Sequence, residues 1–167
     1  MERTIEDALN DHLSNEMQAA YQYLALAGYA AGANLPGAAH WFHMQMREEL
    51  MHMMRFFNFI NDRGGDVRLE AIAQPKSGFS SLLDAFEAAL DNEQTVTKEI
   101  YDLYELSTKK KDWATQAFMQ AFVSEQVEEE AEVTRLVETL KMIGDNRGAL
   151  LLLDRELGAR PEPAIGG

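Results

Sequence analysis

The chain has 167 residues, of which 46% are hydrophobic, and it contains no cysteine. Its formal net charge of −13 argues against electrostatic binding to nucleic acid or to anionic lipid. The lack of cysteine excludes disulfides, thiolate metal sites and iron–sulfur clusters. No signal peptide and no apolar run of membrane-spanning length is visible, so we expect a single cytoplasmic domain.

The first half of the chain predicts two long helices, over residues 4–33 and 35–63. Thr4 is the expected N-cap of the first helix. Pro36 suits the first turn of the second helix, and the glycine pair that begins at Gly64 ends it. Few residues separate the two segments, so they should pack as an antiparallel hairpin.

The second half predicts another hairpin and a short addition. The segments are expected over residues 80–108, 112–143 and 147–157, followed by a flexible tail over 158–167. Ser80 or Ser81 should begin the third helix, and Asp112 should cap the fourth, which ends at Gly144.

The connection between the two hairpins sets the topology. Residues 64–79 lie between the second and third helices. An extended segment of this length reaches about 50 Å, whereas the second helix is about 42 Å long at about 1.5 Å per residue. The link can therefore run the whole length of a bundle. The sequence predicts an all-α four-helix bundle with one long crossover and a short fifth C-terminal helix.

Each of the four long helices carries one glutamate in its predicted apolar seam, near the middle of the helix: Glu16, Glu49, Glu93 and Glu129. Antiparallel packing would bring all four to one level, with His52 one turn from Glu49. Buried carboxylates must be protonated, paired or bound to metal, and no Lys or Arg lies in these seams. Two divalent cations would balance four carboxylates. A set with one imidazole suits Fe(II), Mn(II) or Zn(II).

A simpler explanation exists for each residue taken alone. A single seam glutamate is more often an exposed residue of a helix whose phase was misjudged, and a lone histidine is more often structural. Gln126, one turn before Glu129, is expected to be a hydrogen-bonding partner rather than a ligand. Four glutamates at one level, together with the Glu49-x-x-His52 turn, favour the metal site over coincidence.

Four fragments carry a resemblance to the bacterial non-haem ferritins, in the same order and at the same spacing. They are Asn15-Glu16, Arg47 to Met53, Asn92-Glu93-Gln94 and Ser124 to Glu130. The resemblance extends from about Ile5 to Leu157 and implies a ferritin-like bundle.

The resemblance also implies roles for residues. One iron would be held by Glu16, Glu49 and His52, and a second would share Glu49 and add Glu93 and Glu129. Gln126 and Tyr23 would lie beside this di-iron site. A possible third iron site would use Glu48, Glu125, Glu128 and Glu129. A solvated acidic face is an equally good explanation for Glu48, Glu125, Glu128 and Glu130.

Haem is disfavoured by two departures from the bacterioferritins. The second E-x-x-H of that family reads Gln126-Val-Glu-Glu129 here, and Leu50 stands where the resemblance would place a haem-ligating methionine. Several methionines crowd the same helix, so a haem-binding storage protein stays an alternative.

The implied function is iron storage and detoxification. Fe(II) would be oxidised by dioxygen or hydrogen peroxide and deposited as a ferric mineral inside a homo-oligomeric shell, a 24-mer in this family. The leucine run Leu150 to Leu153 in the short fifth helix favours assembly. The alternative hypotheses are a di-iron oxygenase or peroxidase and a non-enzymatic helical scaffold. No nucleic-acid or membrane partner is expected.

Overall fold

The computed structural model describes residues 1–163, and within that range it contains only helices and connecting segments. In chain order they are α1 (Arg3–Gly32), α2 (Pro36–Asp62), α3 (Leu82–Lys109), α4 (Trp113–Ile143) and α5 (Arg147–Leu157). The predicted all-α architecture is confirmed. Across the same range, no helix has the length and apolarity needed to cross a membrane.

Most of the predicted helix ends are found, and one is wrong. The side chains of Ser81 and Asp112 each accept a hydrogen bond from a backbone N–H three residues later. Thr4, in contrast, is not the N-cap of α1, because that helix starts earlier, at Arg3. The preceding Glu2 carbonyl accepts the first backbone hydrogen bonds, and the Thr4 hydroxyl donates to the Glu2 carboxylate instead.

The crossover between α2 and α3 lies along α1. Three amide side chains of α1 hold it: Asn10, Gln18 and Gln22. Each both donates to a backbone carbonyl of the crossover and accepts from a backbone N–H, for example Gln18 with Ala73 at 3.1 and 2.6 Å. These paired contacts fix a segment that has no regular secondary structure of its own.

The hydrophobic core is divided into two parts. One cluster contains Tyr23, Phe42 and Phe86, and the other contains Leu13 and Phe56 among its members. Between the two clusters, each of the four long helices turns a polar side chain inward. The site described below therefore occupies a polar layer between two apolar halves of one bundle.

Helix α5 packs on the start of α2. The side chain of Asp154 is buried and accepts a hydrogen bond of 2.8 Å from the backbone N–H of Ala38. Leu153 is buried in the core, whereas Leu151 and Leu152 are 56% and 66% exposed. The leucine run is thus split between docking on its own bundle and an exposed apolar face.

The chain after α5 keeps defined contacts as far as the described residues extend. Arg160 packs on α2, and Glu162 lies 3.1 Å from the guanidinium of Arg47. The expected flexibility of the tail stays a prediction, and its last residues, 164–167, lie outside the described residues.

Candidate metal centre

The four seam glutamates meet in the polar layer between the two halves of the core. Glu16, Glu49 and Glu93 are 1%, 3% and 1% exposed, and Glu129 is partly buried. Helical periodicity brings each of them inward, because apolar neighbours three, four and seven residues away occupy the same face.

Three of the predicted ligands already form a compact group. One ligand atom from each of Glu16, Glu49 and His52 lies within 4.8 Å of the other two. His52 Nδ1 is 3.3 Å from Glu49 Oε2 and 3.9 Å from Glu16 Oε2. The three-residue spacing of Glu49 and His52 places both on one face of α2. This group could hold a metal ion.

Glu93 is oriented by two neutral donors. The Tyr23 hydroxyl donates to Glu93 Oε1, and Gln126 Nε2 donates to Glu93 Oε2 at 2.7 Å. Tyr23 is fully buried, and burial together with the nearby carboxylates raises its pKa well above the ordinary value. The phenol is therefore neutral and acts as a donor to Glu93.

Glu129 is oriented in the same way by an amide. Gln45 Nε2 donates to Glu129 Oε2 at 2.9 Å. Glu93 and Glu129, which belong to different helices, are thus both held by glutamine side chains rather than by cations. Such contacts fix the direction of a carboxylate without neutralising its charge.

Gathering these carboxyl groups in the bundle interior shifts their pKa values. Burial raises the pKa of Glu49 well above its ordinary value, and the neighbouring charges of Glu16 and Glu93 raise it further. Burial likewise raises the pKa of Glu129 to about 7. Without a cation, the centre favours protonated carboxyl groups, so a metal ion that binds must displace protons.

Glu16 is the exception among the four. Burial alone would raise its pKa, but His12, His52 and the neighbouring carboxyl group of Glu49 together outweigh that effect and lower the pKa to about 2. His12 Nε2 lies 2.8 Å from Glu16 Oε1, although the angle is not that of a hydrogen bond. Glu16 therefore stays ionised in the metal-free centre.

Comparison with known proteins decides the family. Residues 6–143 match the family model for the ferritin-like domain. The chain belongs to the ferritin family. Among curated relatives, the bacterial non-heme ferritin of Staphylococcus aureus (strain USA300) is 40% identical over 160 residues, 96% of each chain. The protein of the same name from Staphylococcus saprophyticus is 39% identical over 160 residues, again 96% of each chain.

Solved ferritins share the whole fold. An open pore ferritin from Archaeoglobus fulgidus superposes with a TM-score of 0.95 at 43% identity and covers 96% of this chain and 99% of its own. An engineered closed form of the ferritin from the same organism superposes with a TM-score of 0.96 at 42% identity. It covers 98% of this chain and 99% of its own. The predicted resemblance to bacterial non-haem ferritins and the ferritin-like bundle are both confirmed.

Within residues 1–163, the acidic residues predicted for a third iron site do not form a group as compact as that of Glu16, Glu49 and His52. Glu48 Oε2 accepts a hydrogen bond of 2.7 Å from Arg160. A cation that used Glu48 would have to displace this guanidinium. Burial raises the pKa of Glu48, and Arg160 opposes that rise.

The three other acidic residues of that prediction lie on α4, and one of them, Glu129, belongs to the group described above. Glu125 Oε2 is 3.6 Å from His52 Nε2, and it accepts a hydrogen bond of 2.7 Å from Arg55. Glu128 is exposed, with no contact to the other acidic residues among the described interactions. The third site stays a prediction that rests on the family resemblance.

Three residues that contact the candidate metal centre or its neighbours had no role assigned from the sequence. Gln45 lies four residues before Glu49 and His12 four residues before Glu16, so one-turn spacing could have pointed to both. Arg160 had no such signal, because its position depends on how the chain returns to α2 after α5.

Proposed function

We propose that this ferritin stores iron and acts as a ferroxidase, oxidising Fe(II) inside each subunit. The observation that carries the proposal is the polar layer of four inward carboxylates. Within residues 1–163, their charged or hydrogen-bonding partners are histidines, glutamines and a tyrosine, and none is Lys or Arg. Four buried carboxyl groups without a Lys or Arg partner suit cationic cargo, which can replace their protons.

Two irons would share the centre. Glu16, Glu49 and His52 would hold the first, in line with their mutual distances. The second would share Glu49 and be held by Glu93 and Glu129. Four carboxylates balance two divalent ions, and they stabilise ferric iron more strongly than ferrous iron because the higher charge gains more from anionic ligands.

Either dioxygen or hydrogen peroxide can accept the two electrons that the two Fe(II) ions release. Two Fe(II) ions give one electron each to dioxygen, which takes up two protons and leaves as hydrogen peroxide. With hydrogen peroxide as the oxidant, the same two electrons and two protons yield two waters. Tyr23, Gln126 and Gln45 keep Glu93 and Glu129 pointed at the centre throughout, because each donates a hydrogen bond to one of these carboxylates.

Storage requires an enclosed space, which a single bundle does not provide. We propose a homo-oligomeric shell, a 24-mer as in the family. The exposed Leu151 and Leu152 on α5 supply an apolar contact surface for assembly. Light scattering tests this directly, because a shell of several hundred kilodaltons supports storage, whereas a dimer supports an oxygenase or a scaffold. A cytoplasmic location and the lack of haem remain predictions.

Stopped-flow oxidation tests the enzyme. Metal-free protein is loaded anaerobically with Fe(II) and mixed with dioxygen while absorbance is recorded. The expected result is a fast phase that consumes about two irons per subunit, because the proposed centre holds two. Glu49→Ala should lose this phase, and Asp91→Ala, which removes an exposed carboxylate, should keep it. Oxidation no faster than that of protein-free iron would refute the enzyme and leave a scaffold.

A further inference from the structure

An acidic pocket opens between α1 and α3, and His12 is among its lining residues. Its volume is about 210 Å³. Three carboxylates line it, from Asp11, Glu99 and Asp102, and none of the described lining residues is Lys or Arg. An acidic face alone would be an ordinary solvated surface. The side chain at its inner end distinguishes this pocket.

His12 forms that inner end. It is 3% exposed, and neither ring nitrogen has a hydrogen-bond partner. Nδ1 lies 3.8 Å from Glu99 Oε2, and Nε2 lies 2.8 Å from Glu16 Oε1. Glu99 Oε2 is also buried without a partner. Buried polar atoms without partners are rare in native proteins, and a missing ion is one of the usual reasons.

These atoms form a row of polar groups between the pocket and the centre. Starting from the pocket, the row leads from Glu99 through the two nitrogens of His12 to Glu16, which is a proposed iron ligand. Imidazole nitrogen with carboxylate oxygens is the ligand chemistry of Fe(II), Mn(II) and Zn(II). If His12 served only to pair with Glu16, its Nδ1 would still lack a partner inside the protein.

We propose that the pocket between α1 and α3 is a second divalent-cation site, in which Glu99 and His12 bind a cation before it passes to Glu16, while Asp11 and Asp102 line the approach. Binding in the pocket is independent of the function proposed above, whereas delivery to Glu16 rests on it. The pocket carboxylates raise the local concentration of cations, and His12 is within reach of both the pocket and the centre.

Zn(II), which is not oxidised, tests binding by calorimetric titration of the metal-free protein. Glu99→Gln combined with Asp102→Asn should bind one fewer Zn(II) per subunit than the control. The control is Glu87→Gln with Asp91→Asn, which removes two exposed carboxylates from the same helix. The same loss should occur in a Glu49→Ala background, because the pocket does not use Glu49. Equal Zn(II) counts in the two double variants would overturn the proposal.

This experiment can refute the iron centre and the pocket independently of each other. If Glu49→Ala binds as many Zn(II) ions as the unmodified protein, the proposed iron centre is refuted. The pocket is still judged by the difference between its own variant pair and the control pair. Anomalous scattering from a crystal of the metal-loaded protein would locate the Zn(II) ions. One of them must lie within bonding distance of His12 and Glu99.

Delivery to Glu16 is tested by rate. Co(II) binding, followed by its visible absorbance after rapid mixing, should slow by about tenfold when the pocket carboxylates are neutralised. His12→Gln, which keeps a polar group of similar size, should slow it as well. His43→Gln, at an exposed histidine, is the matched control. Unchanged rates in both the carboxylate and the His12 variants would refute delivery.

Discussion

Arg160, just beyond the last helix, donates a hydrogen bond of 2.7 Å to Glu48 on α2. The same guanidinium donates to Gln45 Oε1 and lies 4.5 Å from the centre of the Trp41 ring. Gln45 in turn donates to Glu129 at 2.9 Å. The C-terminal segment is therefore linked through a single amide to a carboxylate of the proposed iron centre.

Arg160→Gln should release this segment. The loss of a charge-assisted hydrogen bond and of the contact with Trp41 should lower the free energy of unfolding by about 1–3 kcal/mol. In a Trp113→Phe background, the fluorescence of Trp41 should shift towards that of a more solvated indole. Arg135→Gln, at an exposed arginine, should change neither signal. Unchanged thermal midpoint and fluorescence in Arg160→Gln would contradict a docked tail.

Tyr23→Phe should weaken metal binding without unfolding the bundle. The substitution removes the hydrogen bond to Glu93 but keeps the buried ring, so the carboxylate loses one of its two orienting donors. We expect roughly tenfold lower affinity for Co(II) in anaerobic titrations. Tyr21→Phe alters a tyrosine that is 40% exposed on the same helix and serves as the control. Equal affinities in the two variants would show that Glu93 does not depend on Tyr23.

Glu129 gives the metal-free protein an unusual pH dependence. Its pKa is raised to about 7, so the folded state binds more protons than the unfolded state between the ordinary value of 4.5 and about 7. Stability therefore falls as the pH rises through that window. Glu49, whose pKa is also raised, has the same sign. The free energy of unfolding of metal-free protein should be higher at pH 5.5 than at pH 7.5, by about 2 kcal/mol from Glu129 alone.

Glu129→Gln measures how much Glu129 contributes to this pH dependence of stability. The neutral amide should stabilise metal-free protein at pH 7.5 and reduce the difference between the two pH values. Glu128→Gln, at the exposed neighbour, should leave both measurements unchanged. If Glu129→Gln destabilises the metal-free protein at pH 7.5, the carboxylate is ionised and favourably paired there, against our expectation.

Gly37→Ala should displace α5. A Cβ at Gly37 would overlap the backbone carbonyl of Asp154, which cannot move without shifting the helix. We expect the loss of the Asp154 contact with Ala38 and a fall of about 2–4 kcal/mol in the free energy of unfolding. Gly28→Ala is the matched control, because its Cβ would meet no atom within 4 Å. That control should be neutral or stabilising by about 0.5–1 kcal/mol, since alanine favours helix more than glycine does. Equal stability of the two variants would contradict the close packing of α5 on α2.

The positions of Glu16, Glu49, Glu93 and Glu129 were predictable from the sequence because helical periodicity is a local property. Each glutamate interrupts an apolar seam near the middle of its helix, and short loops make neighbouring helices antiparallel. The same reasoning predicted the long crossover, since chain length sets its reach. The cap at Thr4 was wrong because helix ends depend on which backbone carbonyl accepts the first hydrogen bond.

Only the tertiary structure decided which side chains serve these carboxylates. Gln45 and Glu129 lie on different helices, and their contact depends on how the helices are rotated and spaced against each other. The contacts of His12 with both Glu16 and Glu99 also require α1 and α3 to pack in one register. Arg160 reaches Glu48 only after α5 has docked on α2. Such contacts join residues far apart in the chain, so no local periodicity specifies them, whereas the inward face of each helix is set by its own residues.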